Sequence, residues 1–164
     1  MAILQVPVER FSIVTSKPFA QVLASIEAAV GHPDMRAFAT NVAAASSFQQ
    51  LEQVITPLLG PAGFMEFVRF NLGQILSKAH GPSAPKILRI VVGNPLIMQQ
   101  MAQHVPDAAS YAPVTLLIDE RPDGVHLSYD RMASYLAPYG NETALQVARA
   151  LDAKVEALLA SAAS

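Results

Sequence analysis

Lys86-Ile87-Leu88-Arg89-Ile90-Val91-Val92-Gly93-Asn94-Pro95-Leu96-Ile97-Met98-Gln99 is the stretch that decides the fold. Residues 86–92 are aliphatic apart from Lys86 and Arg89, the pattern of a strand buried within a sheet. Gly93 ends the run. Asn94 is placed to cap a helix, and Pro95, whose φ is fixed and whose missing N–H costs nothing there, suits the first helical position. Leu96, Ile97, Met101 and Ala102 then follow at helical spacing. A strand therefore passes directly into a helix.

Downstream of a loop at 107–112 comes a hairpin. Residues 113–119 form one arm, Arg121-Pro122-Asp123-Gly124 the turn, and 125–129 the other arm. Asp130 is placed to cap a short helix that runs to Leu136 and breaks at Pro138-Tyr139-Gly140. Asn141 caps the last helix, which carries Ala144, Leu145, Ala148, Leu151, Val155, Leu158 and Leu159 through residue 160.

Upstream, residues 8–15 alternate as a strand with Phe11 and Ile13 on one face. Ser16-Lys17-Pro18 opens a helix whose stripe is Phe19, Val22, Leu23, Ile26 and Val30, and Gly31-His32-Pro33 stops it. Residues 34–45 are weakly patterned and read as a loop or a poor strand. Ser46 or Ser47 caps a helix bearing Phe48, Leu51, Val54, Ile55, Leu58 and Leu59. The stretch 64–76 fits helix or strand, and periodicity does not decide between them. The expected fold is α+β: an antiparallel sheet of four to five strands packed against helices, in a single domain spanning 1–164.

Composition narrows the function. Hydrophobic residues make up 52% of the 164 positions and charged residues 15%, ample for a core and sparse for a monomer's surface, so a homodimer is expected. The net charge is −2 and the 11 basic residues are scattered singly, which argues against nucleic acid. There is no cysteine, hence no disulfide framework, thiol nucleophile or thiolate metal site. The run 1–8 lacks the pattern of a signal peptide, and no stretch approaches the ~20 apolar residues of a membrane span. A cytoplasmic protein without membrane contact is expected.

Over residues 66–130 the chain resembles the domain-of-unknown-function 302 proteins of bacteria and archaea. The resemblance rests on an ordered set: a strand into Gly93-Asn94-Pro95, Leu96 to Gln99 opening the next helix, Tyr111-Ala112-Pro113 before a strand, and Asp123-Gly124 leading to Ser128-Tyr129-Asp130. It implies a compact α+β fold with an antiparallel sheet, commonly dimeric, and no established activity. It also implies a strand near 65–70. Many members carry an Asp-His pair just after that strand, where this chain has Asn71-Leu72.

Gly93-Asn94-Pro95 is the foremost candidate site, because a helix start exposes backbone N–H groups that can hold a phosphate or carboxylate. Good capping alone explains the same residues. Arg89 within an apolar strand calls for water on an edge strand, an acidic partner or a bound anion. Tyr111 and Tyr129 are candidate pocket residues, since tyrosine offers an apolar body with a polar tip. His32, His80, His104 and His126 share no metal spacing, and no metal or cofactor is expected. His126 and Ser128 share a strand face near Asp119 and Glu120, but no nucleophile elbow surrounds the serine. The reading is a dimeric, non-enzymatic binding or accessory domain holding a small, anionic molecule near Gly93, Asn94, Arg89, Tyr111 and Tyr129. The alternative is an enzyme whose acid–base residues, such as Glu66, Asp119, Glu120, His126 and Asp130, converge only in the fold.

Overall fold

The computed structural model describes residues 3–164; Met1 and Ala2 of the amino-terminal run lie outside it. The chain forms β1 (Arg10–Thr15), α1 (Phe19–Ala29), α2 (Met35–Ala44), α3 (Phe48–Ile55), β2 (Met65–Asn71) and α4 (Leu72–His80). It continues with β3 (Ile87–Gly93), α5 (Pro95–Ala102), β4 (Val114–Arg121), β5 (Gly124–Asp130), α6 (Met132–Leu136) and α7 (Glu142–Ala163). The five strands make one antiparallel sheet in the order β1-β5-β4-β3-β2. The α+β reading and the strand near 65–70 both hold.

Strand alternation gives the sheet two unlike faces. One carries Leu88, Ile90 and Val92, then Val114, Leu116 and Ile118, then Val125, Leu127 and Tyr129, all buried. Against it lie Phe19, Val22 and Ile26 of α1 and the α7 stripe Ala144, Ala148, Leu151, Val155, Leu159 and Ala162, spaced by three and four. Small alanines in that stripe let α7 approach the sheet closely. On the opposite face Val14, Val68 and Phe70 remain exposed at 49, 41 and 42%.

Three local expectations need correction. Residues 34–45 are neither loop nor strand: Asp34 Oδ1 accepts from the Ala37 N–H at 2.8 Å and caps α2. That helix buries none of its residues, so it had no apolar stripe to announce it; its capping and its alanines carry it. Arg89 does not sit on an edge strand, because β3 lies between β4 and β2; the open face lets its charge reach water. Asp130 does not cap α6. It is held by Arg10 across the strand pair, at 2.6 and 2.8 Å.

The cap of α6 comes from α7 instead. Asp152, 6% exposed, accepts from the Met132 N–H at 2.7 Å, the Ala133 N–H at 3.0 Å and the Tyr129 hydroxyl at 2.6 Å. Burial pushes the Asp152 carboxyl above its usual range, while these three donors pull the other way. Burial also raises the Tyr129 hydroxyl, helped by the neighbouring carboxylate.

Asp152→Ala leaves the part-buried Ala133 N–H and the buried Tyr129 hydroxyl without their acceptor, and leaves the Met132 N–H only its 3.1 Å bond to the Tyr129 oxygen. Each such loss costs about 1–3 kcal/mol, so urea unfolding should show a drop of about 3 kcal/mol or more. Asp152→Asn keeps an oxygen acceptor and should lose distinctly less.

Candidate functional site

The passage from β3 to α5 is built as its residues predict. Asn94 Oδ1 accepts from the Leu96 N–H at 2.9 Å, and the Asn94 carbonyl accepts from the N–H groups of Ile97 and Met98, each at 3.0 Å. The Asn94 amide donates to the Gly63 carbonyl at 3.1 Å, pinning this turn to the loop before β2. The donors that an anion would use at this helix start are thus satisfied within the chain. A Cβ on Gly93 would lie 3.0 Å from Pro113 and 3.4 Å from the Phe67 ring, so glycine allows the close approach of these walls.

Beside this turn lies a cavity of about 250 Å³. Phe38, Phe67, Ile97, Met98, Met101 and Leu151 form much of its lining, and Asn94 contributes its one polar side chain. Phe38 of α2 meets Phe67 edge-to-face, with ring centres 6.1 Å apart. Gly93 and Asn94 therefore do border a cavity, but one of apolar chemistry. Sequence reasoning missed Phe38 because α2 was not recognised. It passed over Phe67 as an unresolved strand-or-helix residue, although a break in register between Glu66 and Val68 frees it from the regular ladder.

Arg89 and Tyr111 lie elsewhere, in a groove of about 620 Å³ on the open face of the sheet. Strand register sets Ser12, Ser128, Leu117, Arg89 and Phe70 in one row across all five strands. Thr115, Val91 and Val68 follow in the next row. At one end the Tyr111 and Tyr135 rings stack with centres 4.5 Å apart and planes 10° from parallel. The Tyr111 and Tyr139 hydroxyls share a hydrogen bond of 3.0 Å, and this contact pushes the Tyr139 hydroxyl up to about 12. Tyr135 donates to Asp130 at 3.4 Å, and Arg10 holds the Asp130 carboxyl below its usual range. Tyr129 touches this wall, but the residue is only 2% exposed and its hydroxyl is given to Asp152. The five candidate residues thus divide: Gly93 and Asn94 at the cavity, Arg89 and Tyr111 in the groove, Tyr129 in the core. Ala112, Pro113 and Val114 form a wall common to both spaces.

Asp119, Glu120, His126 and Asp130 do not gather. The His126 ring bonds Asp123 at 2.8 Å on the hairpin turn, rather than Ser128. Asp119 pairs with Arg121, Glu120 with Lys86 at 2.8 Å, and Asp130 with Arg10. Lys86 keeps the Glu120 carboxyl below its usual range. Among the described residues, no three His, Cys, Asp or Glu side chains are placed to hold a metal ion. The densest ionic cluster is one the spacing did not suggest. Arg69 on β2 binds Glu66 at 2.7 Å and Glu27 of α1, and His32 lies 3.5 Å from Glu66. It ties α1 to β2, and no sequence signal joins residues 42 positions apart.

No described helix is long and apolar enough to cross a membrane. Among curated proteins nothing matches this chain. Its fold resembles the crystal structure of an uncharacterised conserved DUF302 protein from Bacillus stearothermophilus, with a TM-score of 0.65 at 10% identity. That likeness covers 93% of this chain and 97% of the other. A family model, the domain of unknown function DUF302, matches residues 38–162, so the shared pattern takes in α2 and α7 as well as the 66–130 core. On that match, the chain belongs to the DUF302 family.

Proposed function

We propose that this DUF302 chain is a non-enzymatic binding domain that works as a homodimer and holds a small apolar molecule in the cavity beside Gly93, Asn94 and Pro95. One observation carries the reading. A cavity of about 250 Å³, floored by Met101 and walled by Phe38, Phe67 and Met98, adjoins a helix start whose polar groups are already paired. Ligand sites combine an apolar lining with few polar groups, and this one has a single amide. With the helix-start donors occupied, selection favours an uncharged guest over the anion that the capping residues alone suggest.

Catalysis is the weaker reading, since the candidate acids are each neutralised by a separate cation. An enzyme whose acid–base groups meet only in the fold would have to work through Glu27, Glu66 and His32. There Arg69 already engages both carboxylates. Self-association is supported by the low charge content and by Val68 and Phe70, exposed at 41 and 42% on the edge strand β2. The absence of cysteine fits a cytoplasmic setting.

Indole is a suitable probe for the cavity. At a hundred times its Kd it should stabilise the fold by about 2.7 kcal/mol, read as a rise in Tm. Met98→Trp fills the cavity and should remove that rise while leaving the protein folded. An undiminished rise in the variant would place indole elsewhere and end the reading. For the dimer, sedimentation should show two copies together at micromolar concentration, and Val68→Lys should shift the population to monomer. A wild-type monomer under those conditions rejects the dimer without touching the cavity.

A further inference from the structure

The groove on the open face holds a guanidinium with no carboxylate to match it. Arg10, Arg69, Arg121, Arg131 and Arg149 each pair with an acid. Neither Arg89 nor the exposed Arg36 of α2 has an ion pair among the described residues, and of the two it is Arg89 that lines the groove. Its contacts are a marginal 3.5 Å hydrogen bond to Thr115 Oγ1 and the face of Phe70, with 5.6 Å to the ring centre. Phe70 and Leu117 flank it in register, so it projects from an apolar strip of an inner strand. Weak partners and low-polarity neighbours leave its fork-shaped donor set ready for an oxyanion.

We propose that this groove is a second ligand site, distinct from the apolar cavity, and that it takes a small monocarboxylate with an aromatic body. The carboxylate meets Arg89, the body lies over Leu117 and Val91, and Tyr111, stacked on Tyr135, forms the end wall. Charge selects the class. Of the groove's two cations Arg10 is held by Asp130 and Arg89 alone is free, while the Asp130 carboxylate at the far side repels a dianion such as a phosphate monoester. The same carboxylate accepts a hydrogen bond, as it does from Tyr135, and so favours a ligand with a hydroxyl opposite its acid group. Asp130 on β5 lies two strands over and two residues along from the Arg89 row, about 12 Å between backbones at ordinary strand spacing, a span that the two side chains and a single substituted ring can bridge.

The test is titration of the full chain with 4-hydroxybenzoate by calorimetry, with 4-hydroxybenzamide and inorganic phosphate as comparisons. The acid should bind more tightly than either. Arg89→Gln should weaken the acid about tenfold or more, the usual consequence of losing a charge-assisted hydrogen bond. Leu117→Glu offers Arg89 an internal carboxylate from its register partner and should abolish binding with the arginine still in place. Met98→Trp, which fills the cavity, should leave the acid's affinity unchanged, so the two sites fail or stand separately. Wild-type affinity in Arg89→Gln, equal binding of the amide or of phosphate, or loss of binding in Met98→Trp would overturn the assignment.

Discussion

Asp152 is the point on which the helices and the sheet agree. A carboxylate taken out of water is tolerable only where donors replace the lost hydration, and here three converge on it from two different elements. Tyr129 sends its hydroxyl from the last strand, and Met132 and Ala133 send the free N–H groups of α6. Those two N–H groups lie at a helix start, where a negative charge is also favoured by the helix dipole. The bond set fixes the rotation of α7. Once Asp152 faces the start of α6, Ala148, Leu151, Val155 and Leu159 can face only the sheet.

From that fixed helix follows the one-sided burial of the sheet. The apolar stripe of α7, with α1 beside it, covers one face, and no helical layer covers the other, where Val91, Asp119 and Ser128 are buried while Val14, Arg89, Val68 and Phe70 are exposed. Antiparallel sheets tolerate this arrangement because alternate side chains can be given to different surroundings. Arg89 shows the consequence most clearly. In a sheet covered on both sides its charge would be untenable in an inner strand, whereas on an open face it is tolerated and available. The two candidate sites divide along the same boundary: the cavity borders the helical layer and is apolar, and the groove lies on the bare face and is mixed. Ala112, Pro113 and Val114 are thin enough, with two small or rigid residues, to serve both as a wall.

Much of this architecture was legible where local chemistry and burial point the same way. Residues 86–95 show strand and helix with a cap between them, and the hairpin at 121–124 shows its turn chemistry. Asn141 and the α7 stripe agree in the same manner. Reading failed where the determining partner is distant. Asp130 looks like a helix cap because it precedes Met132 by two, yet Asp152 performs that task from twenty residues further on. Asp34 is a good local cap, but α2 buries no stripe to confirm it. The stretch 64–76 resisted periodicity because it holds both a strand and a helix, joined at Asn71 without a loop. At the candidate site, Asn94 could be read from its neighbours, whereas Phe38 and Phe67 meet only after α2 has packed against β2.

The junction at Asn71 also bears on where function lies in this chain. The resemblance implies an Asp-His pair there in many relatives, and here Asn71 Oδ1 caps α4 through the Gln74 N–H at 3.1 Å. Asparagine and aspartate cap helices about equally well, so either residue suits this junction. Leu72 keeps no imidazole chemistry. Gly73 is required beside it, since a Cβ would lie 2.8 Å from the Ile87 backbone nitrogen. The junction is therefore held tightly in shape. Register pairs Asn71 with Leu88 and Met65 with Gly93, which puts this junction and the cavity at opposite ends of β3, about 17 Å apart at ordinary strand rise. A change at one end need not disturb the other. Leu72 offers no reactive side chain where the resemblance implies a histidine, and the walls around Gly93 and Asn94 do not depend on that position.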